Sequence, residues 1–424
     1  MAHELLVLLG KTPWEGPLVA GLAHPASRMT IARRCLDTAD LLASAEAGRG
    51  EVALVGADAP RLDADVIQRL IDCDVRIVGL VSADDHDSPA RLQRWGVESI
   101  VVVDVSEIGP AVFAIAEAVR LDDRDRFDLV RDGSATAGEI ASIAPGTRAL
   151  AIAVWGPAGA PGRTSVAIGL ADELSRAGRR VLLVDADTWS PSVSLMLGMV
   201  DDGAGLASAC RRALSGTLDV ESLAALTRSP SKNFAVLSGL SRSGRWAEVR
   251  SAAMTTVLNV ARSWVEAVVI DCGFSLEADE DLVFDTAAPR RNAATFVALE
   301  QADEVVVVGA GDPVGLVRLV TGLSDLSDAA AVSHRHVVVT RARNSTLGRR
   351  PDAAISELLY RHAGVDSVWC VPDDPIGYDM ALREGRTLAD VAPKSPARQV
   401  VRGLARTIGD DHWPRGVRTL RIAR

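Results

Sequence analysis

The sequence predicts two α/β domains in tandem, the larger built on a doubly wound, mostly parallel sheet. Three observations carry this. Short apolar runs alternate with helix-period patterns in two separate series, which is the signature of strands joined by crossover helices. Of 424 residues, 48% are hydrophobic but only 4% aromatic, so the core rests on Val, Leu, Ile and Ala. That bias suits parallel strands covered by helices on both faces. At about 150 residues per domain, the length allows two or three domains with proper cores.

The first series spans residues 4–120. Its apolar runs are Leu5–Leu9, Val52–Val55, Val75–Val81 and Ser99–Val103, with amphipathic stretches at Ile31–Ala45 and Asp63–Cys73 read as helices. This predicts a domain over 1–121. Asp122–Gly146 is charged and then small and polar, so 122–147 reads as a linker. The second series opens at Arg148, with candidate strands Ala149–Val154, Arg180–Val184, Phe234–Val236, Ala267–Ile270, Glu304–Val308, His336–Val339 and Val368–Val371. It predicts a domain over 148–409. The tail 410–424 sets Trp413, Val417, Leu420 and Ile422 among four arginines. An interfacial amphipathic helix is one reading of it. Pro414 and Gly416 favour a flexible basic end.

The net charge of −10 argues against broad nucleic-acid binding, which needs clustered cations to neutralise phosphates. Cysteines at 35, 73, 210, 272 and 370 form no CxxC pair, so reduced thiols and a cytoplasmic setting are expected. The N-terminus carries no leader pattern, and no run of 18 apolar residues exists to span a membrane.

The chemistry concentrates after the strand Ala149–Val154. There Trp155-Gly-Pro-Ala-Gly-Ala-Pro-Gly-Arg-Thr-Ser165 runs into the helical pattern Val166–Ala177. Backbone N–H groups of a glycine-rich loop and the N-terminus of the following helix together face an anion. A loop ending Gly-basic-Thr is the core of a P-loop. Gly159, Ala160, Gly162, Arg163, Thr164 and Ser165 are therefore candidate phosphate contacts. Two further strands end in carboxylates: Val181–Val184 leads into Asp185-Ala-Asp187, and Val268–Ile270 into Asp271. Strand-end carboxylates in an open parallel sheet lie where ligands bind.

In this order the signals resemble the MinD/ParA family of deviant Walker A P-loop ATPases, and the P-loop NTPase likeness runs collinearly from Arg148 to Ile408. Ala158-Gly-Ala-Pro-Gly-Arg-Thr164 stands for the loop, Val184-Asp-Ala-Asp187 for the DxD strand, and Val269-Ile-Asp271 for Walker B. Ala302–Val308 with Asp312-Pro313 stands for a later strand and turn, and Val371-Pro-Asp-Asp374 for the base loop. The resemblance implies ATP and Mg²⁺ as cofactors. Thr164, Asp271 and Asp187 would serve the metal, and Asp187 would also position the attacking water. Arg163 would act on the phosphates, and Pro372 and Asp374 would flank the adenine. Thr340 falls where many relatives have a base-contacting Asn. Pro157 replaces a glycine of the usual pattern, Arg163 its loop lysine and Ala158 its signature lysine. An ATPase weakened at both cations is expected to bind nucleotide with slow or absent hydrolysis.

The first domain is similar to a flavodoxin-like receiver that lacks its acidic equipment. Pro60 puts Gly56 at the phosphoacceptor position, leaving Asp58 as a shifted alternative. A degenerate receiver before a MinD-like ATPase is similar to the CpaE/TadZ layout, and the loop Asp285–Asn292 looks like actinobacterial septum-site members. This implies a homodimer that localises pilus, secretion or division machinery, with membrane or polar recruitment through partners. A ParA-like partitioning ATPase and a non-catalytic scaffold are the alternatives. Arg290 and Arg291, near the expected site, offer a contact to phosphate or to a partner protomer, with a solvated pair at a helix start as the favoured reading; Arg318, on the helix after Asp312-Pro313, offers a partner contact, with a surface salt bridge as the favoured reading.

Overall fold

In the computed structural model, residues 3–125 (except 11, 25, 26 and 28), 149–199, 204–277, 289–330, 332 and 334–413 are described. The linker 122–147 beyond Asp125, Lys11, residues 285–288 of the septum-type loop, and the tail from Pro414 lie outside them. The chain forms two compact units, each with its own sheet.

The first unit has five parallel strands, β1 (His3–Leu8), β2 (Met29–Arg34), β3 (Val52–Gly56), β4 (Arg76–Ser82) and β5 (Ser99–Val103), in the order β2-β1-β3-β4-β5. That is the flavodoxin-like order. Its core gathers Leu5, Val7, Trp14, Leu54, Val78, Leu80 and Ile115. The stretch Ile31–Ala45 is not one helix. Met29–Arg34 is a strand and Thr38–Glu46 a helix, capped by Asp37, which accepts from the Asp40 N–H. β2 is an edge strand whose residues are mostly exposed, so it lacks the apolar pattern of a core strand. Ala64–Asp72 is a helix as expected, started by Asp63.

The second unit has eight strands: β6 (Leu150–Trp155), β7 (Val181–Ala186), β8 (Arg228–Ser231), β9 (Phe234–Leu237), β10 (Ala267–Cys272), β11 (Glu304–Ala310), β12 (Arg335–Ala342) and β13 (Val368–Pro372). Their order is β13-β12-β11-β6-β10-β7-β9-β8. Only β8 pairs antiparallel, through a fully exposed segment carrying Pro230, as an edge strand permits. β6, β7, β10 and β11 are buried along their whole length, as parallel strands covered on both faces must be. One face is covered by helices Arg163–Arg176 and Pro396–His412. Val166, Leu170, Val401, Leu404 and Ile408 meet Ile152, Val154, Leu183, Val269 and Val306 there. The last helix runs through His412, and Trp413 packs against the same core while Arg179 lies 4.7 Å from its ring.

β6 sits centrally: the strands that follow it, β7 to β10, lie on one side, and β11 to β13 are then added on the other. Crossovers that diverge from one strand open a crevice at its carboxyl end. The register sets Asp271 beside both Val154 and Asp185. The sheet alone thus brings two strand-end carboxylates to the mouth of that crevice.

Candidate functional site

The loop after β6 turns on glycine. Gly159 and Gly162 have φ of 74° and 94°, left-handed values that cost residues with a Cβ. Gly156 must be glycine for another reason, because a Cβ there would stand 2.2 Å from the Val308 carbonyl oxygen. Ala160 N–H closes a turn onto Pro157 O at 3.1 Å. Gly162 then caps the helix Arg163–Arg176 with no side-chain cap, and the first-turn N–H groups of a helix have no partner within it. Ser165 lies in that first turn.

Thr164 Oγ1 donates to Asp271 Oδ2 at 2.7 Å and lies 3.3 Å from Ser192 Oγ. Asp271 is 1% exposed, and its Oδ1 has no hydrogen-bond partner among the described residues. Burial pushes the Asp271 carboxyl up to about 7, against the Thr164 hydrogen bond and the nearby Arg163 charge. Asp185 is raised well above the ordinary carboxylate range, first by burial and then by the Asp271 charge. Its oxygens accept from the N–H groups of Asp187 and Val193.

Asp187 is committed on both oxygens. Oδ1 accepts from the Trp189 and Ser190 N–H groups at 2.8 and 3.0 Å, and Oδ2 lies 3.4 Å from an Arg163 guanidinium nitrogen. Arg163 also donates to Gly156 O at 2.9 Å and faces the Phe274 ring at 5.9 Å. Phe274 in turn packs on Trp189, with ring centroids 5.2 Å apart.

Arg291 is not a solvated residue. Its guanidinium stacks 3.6 Å above the Trp189 ring, and the Trp189 indole N–H donates to Asn292 Oδ1 at 3.0 Å. Arg290 is exposed. Thr340 approaches the phosphate loop: Oγ1 is 2.7 Å from Pro161 O and 3.1 Å from Gly309 O. Pro372 ends the edge strand β13. Asp374 starts the helix Pro375–Glu384, accepting from Gly377 N–H at 3.0 Å and from the Ser395 hydroxyl. Its role on view is that of a helix cap. Arg318 reaches the loop as well, donating to Ala158 O at 3.4 Å.

The structure therefore gathers the loop, Thr164, Asp271, Asp187 and Arg163 at one strand mouth. Pro372 and Asp374 sit two strands beyond β11 from that loop's base. Sequence reasoning passed over Ser192, Phe274 and Asn292, which come from distant segments with no diagnostic spacing.

The donor set fits a magnesium nucleotide. A buried carboxylate oxygen stands open beside a hydroxyl, and no ready-made cluster of three His, Cys, Asp or Glu ligands occurs among the described residues. Mg²⁺ in nucleotide sites takes one or two protein oxygens and completes its shell with phosphates and water. Strand, left-handed glycine loop, helix N-terminus and strand-end aspartate together define a P-loop nucleotide-binding protein.

The chain belongs to the CobQ/CobB/MinD/ParA nucleotide-binding domain family, whose model matches residues 152–382. An uncharacterised ATP-binding protein of Methanocaldococcus jannaschii is 24% identical over 265 residues, which is 61% of this chain and 86% of that protein. The ParA family ATPase of Chlorobium tepidum TLS superposes with a TM-score of 0.51 at 19% identity, covering 60% of this chain and 98% of its own. The septum site-determining protein MinD of Pyrococcus horikoshii, complexed with Mg-ADP, gives 0.48 at 20% identity, over 61% and 96% of the two chains.

Proposed function

We propose that the second unit is an ATP- and Mg²⁺-dependent switch that pairs two copies of the chain and hydrolyses ATP slowly or not at all. The observation that carries this is the 2.7 Å contact between Thr164 Oγ1 and Asp271 Oδ2 at the foot of the phosphate loop. A hydroxyl and a carboxylate held this way are poised to share a cation with the phosphates cradled by Gly159–Ser165. Bound Mg²⁺ would supply charge neutralisation at the β- and γ-phosphates. Gly162 and the helix N-terminus hold the phosphates, and Asp271 and Thr164 orient the metal side. Asp187 is the candidate for positioning water, once Arg163 leaves it. Slow turnover follows from Ala158, which adds no charge, and from Arg163, whose planar fork replaces a point-charge ammonium.

The finer reading is a CpaE/TadZ-like localisation factor for pilus, secretion or septum machinery. Its support is a flavodoxin-order unit whose acidic site is depleted. Gly56 ends β3, and exposed Asp58 lies against Gly10, where a Cβ would stand 2.2 Å from Asp58 Oδ2. Such a unit serves as an interaction surface rather than a phosphoacceptor. One observation favours the alternative of a non-catalytic scaffold: Arg163 is already occupied by Gly156 O and Asp187.

Equilibrium ATP binding by the full chain, with and without Mg²⁺ and with mass read by light scattering, separates these. The expected result is Mg²⁺-dependent binding and a doubled mass with ATP but not ADP. Binding without a mass change removes the switch. No binding removes the nucleotide reading altogether.

A further inference from the structure

Around the phosphate loop the cations are unevenly committed. Arg163 points inward, held by Gly156 O, Asp187 and the Phe274 face. Ala158 has no charge to offer. Arg318 comes from a different element, the helix Pro313–Ala329 that follows β11. Asp312 caps that helix through the Val314 and Gly315 N–H groups at 3.0 Å, which fixes the direction of its first turns.

From the second turn, the exposed Arg318 side chain crosses to the loop. Its Nη1 is 3.4 Å from Ala158 O and 2.2 Å from the point where a Cβ on Gly159 would stand. The guanidinium thus lies on the bare α-carbon of Gly159, a position only glycine leaves open. Its contact is a long bond to a neutral carbonyl, and no carboxylate lies within ion-pair distance of it among the described residues. A bond of that kind is readily exchanged for a shorter, charge-assisted one to a phosphate oxygen.

We propose that Arg318 is the outer cation of the loop and takes the terminal phosphate of a nucleoside triphosphate bound in the same protomer. Arg318 would therefore set the preference for triphosphate over diphosphate. This rests on the nucleotide-binding reading above. Because Arg318 is exposed, its replacement leaves the core packing intact.

The experiment measures dissociation constants for ATP and ADP, each with Mg²⁺, by calorimetry on the full-length wild type, Arg318→Ala and Arg318→Lys. Arg318→Ala is expected to weaken ATP about tenfold and ADP less than about twofold, with Arg318→Lys recovering part of the ATP affinity. Equal weakening of both nucleotides, or unchanged ATP affinity, overturns the assignment while leaving nucleotide binding in place. A wild type that binds neither nucleotide overturns the nucleotide reading itself, and this assignment with it.

Discussion

At the scale of single residues, the site is defined by charges that the fold holds against their preference. Asp271 ends a strand buried on both faces, and burial raises its carboxyl to about 7. At pH 8 the folded chain therefore keeps as an anion a group that its surroundings favour protonated. A bound cation would offset that cost, and functional sites commonly retain groups that cost stability. Replacing Asp271 with Asn removes the penalty and keeps an oxygen to accept from Thr164. In EDTA at pH 8, the unfolding free energy of Asp271→Asn should rise by on the order of 2 kcal/mol, seen as a higher melting temperature. The same variant should lose any Mg²⁺ dependence of nucleotide binding. A lower melting temperature would mean that Asp271 is an ordinary structural carboxylate.

At the scale of elements, legibility followed burial. β6, β7, β10 and β11 were readable because both faces are covered, so nearly every residue is apolar. β2 and β8 were not, because they are exposed edges whose pairing comes from the neighbouring strand and leaves no apolar pattern. The loop and its strand-end aspartates were readable for a similar reason: glycine, a basic residue and threonine in sequence leave few alternatives. Ser192, Phe274 and Asn292 arrive through tertiary packing from separate segments, and no local spacing marks them; Arg318 is visible as a helix-borne cation, but its contact with the loop is not. Thr340 shows the difference most sharply, since its strand was evident but its task was not. From β12 it ties the Pro161 carbonyl, on the phosphate loop, to the Gly309 carbonyl of β11. Thr340→Val keeps the shape and deletes the hydroxyl. It should cost about 1 kcal/mol of stability and weaken ATP about fivefold by loosening the loop. Titration of the variant with ATP checks this, and an unchanged dissociation constant would show that the loop is held by its glycine geometry alone.

At the scale of the whole second unit, the last helix is clasped to the sheet at the strand ends remote from the phosphate loop. Glu304 opens β11 with its side chain 5% exposed. His412 Nε2, from the end of helix Pro396–His412, lies 2.8 Å from Oε1, and His336 Nε2, from β12, lies 3.2 Å from Oε2. Burial alone would raise the Glu304 carboxyl. The two histidines facing its oxygens outweigh it and hold the group below its ordinary 4.5. The sign of the pH effect follows. A carboxyl with a lowered folded-state pKa binds its proton less readily when folded, so protonation favours unfolding. Its stabilisation is complete above 4.5 and is lost as pH falls through the lower folded value. Glu304→Gln should therefore be less stable than the wild type by about 1–2 kcal/mol at pH 7, and the gap should shrink as pH is lowered from 4.5 through the lower folded value. Urea unfolding of both proteins across that range tests the clasp. A gap that stays constant or widens at low pH would mean that the C-terminal helix is held by its apolar face alone, through Val401, Leu404 and Ile408.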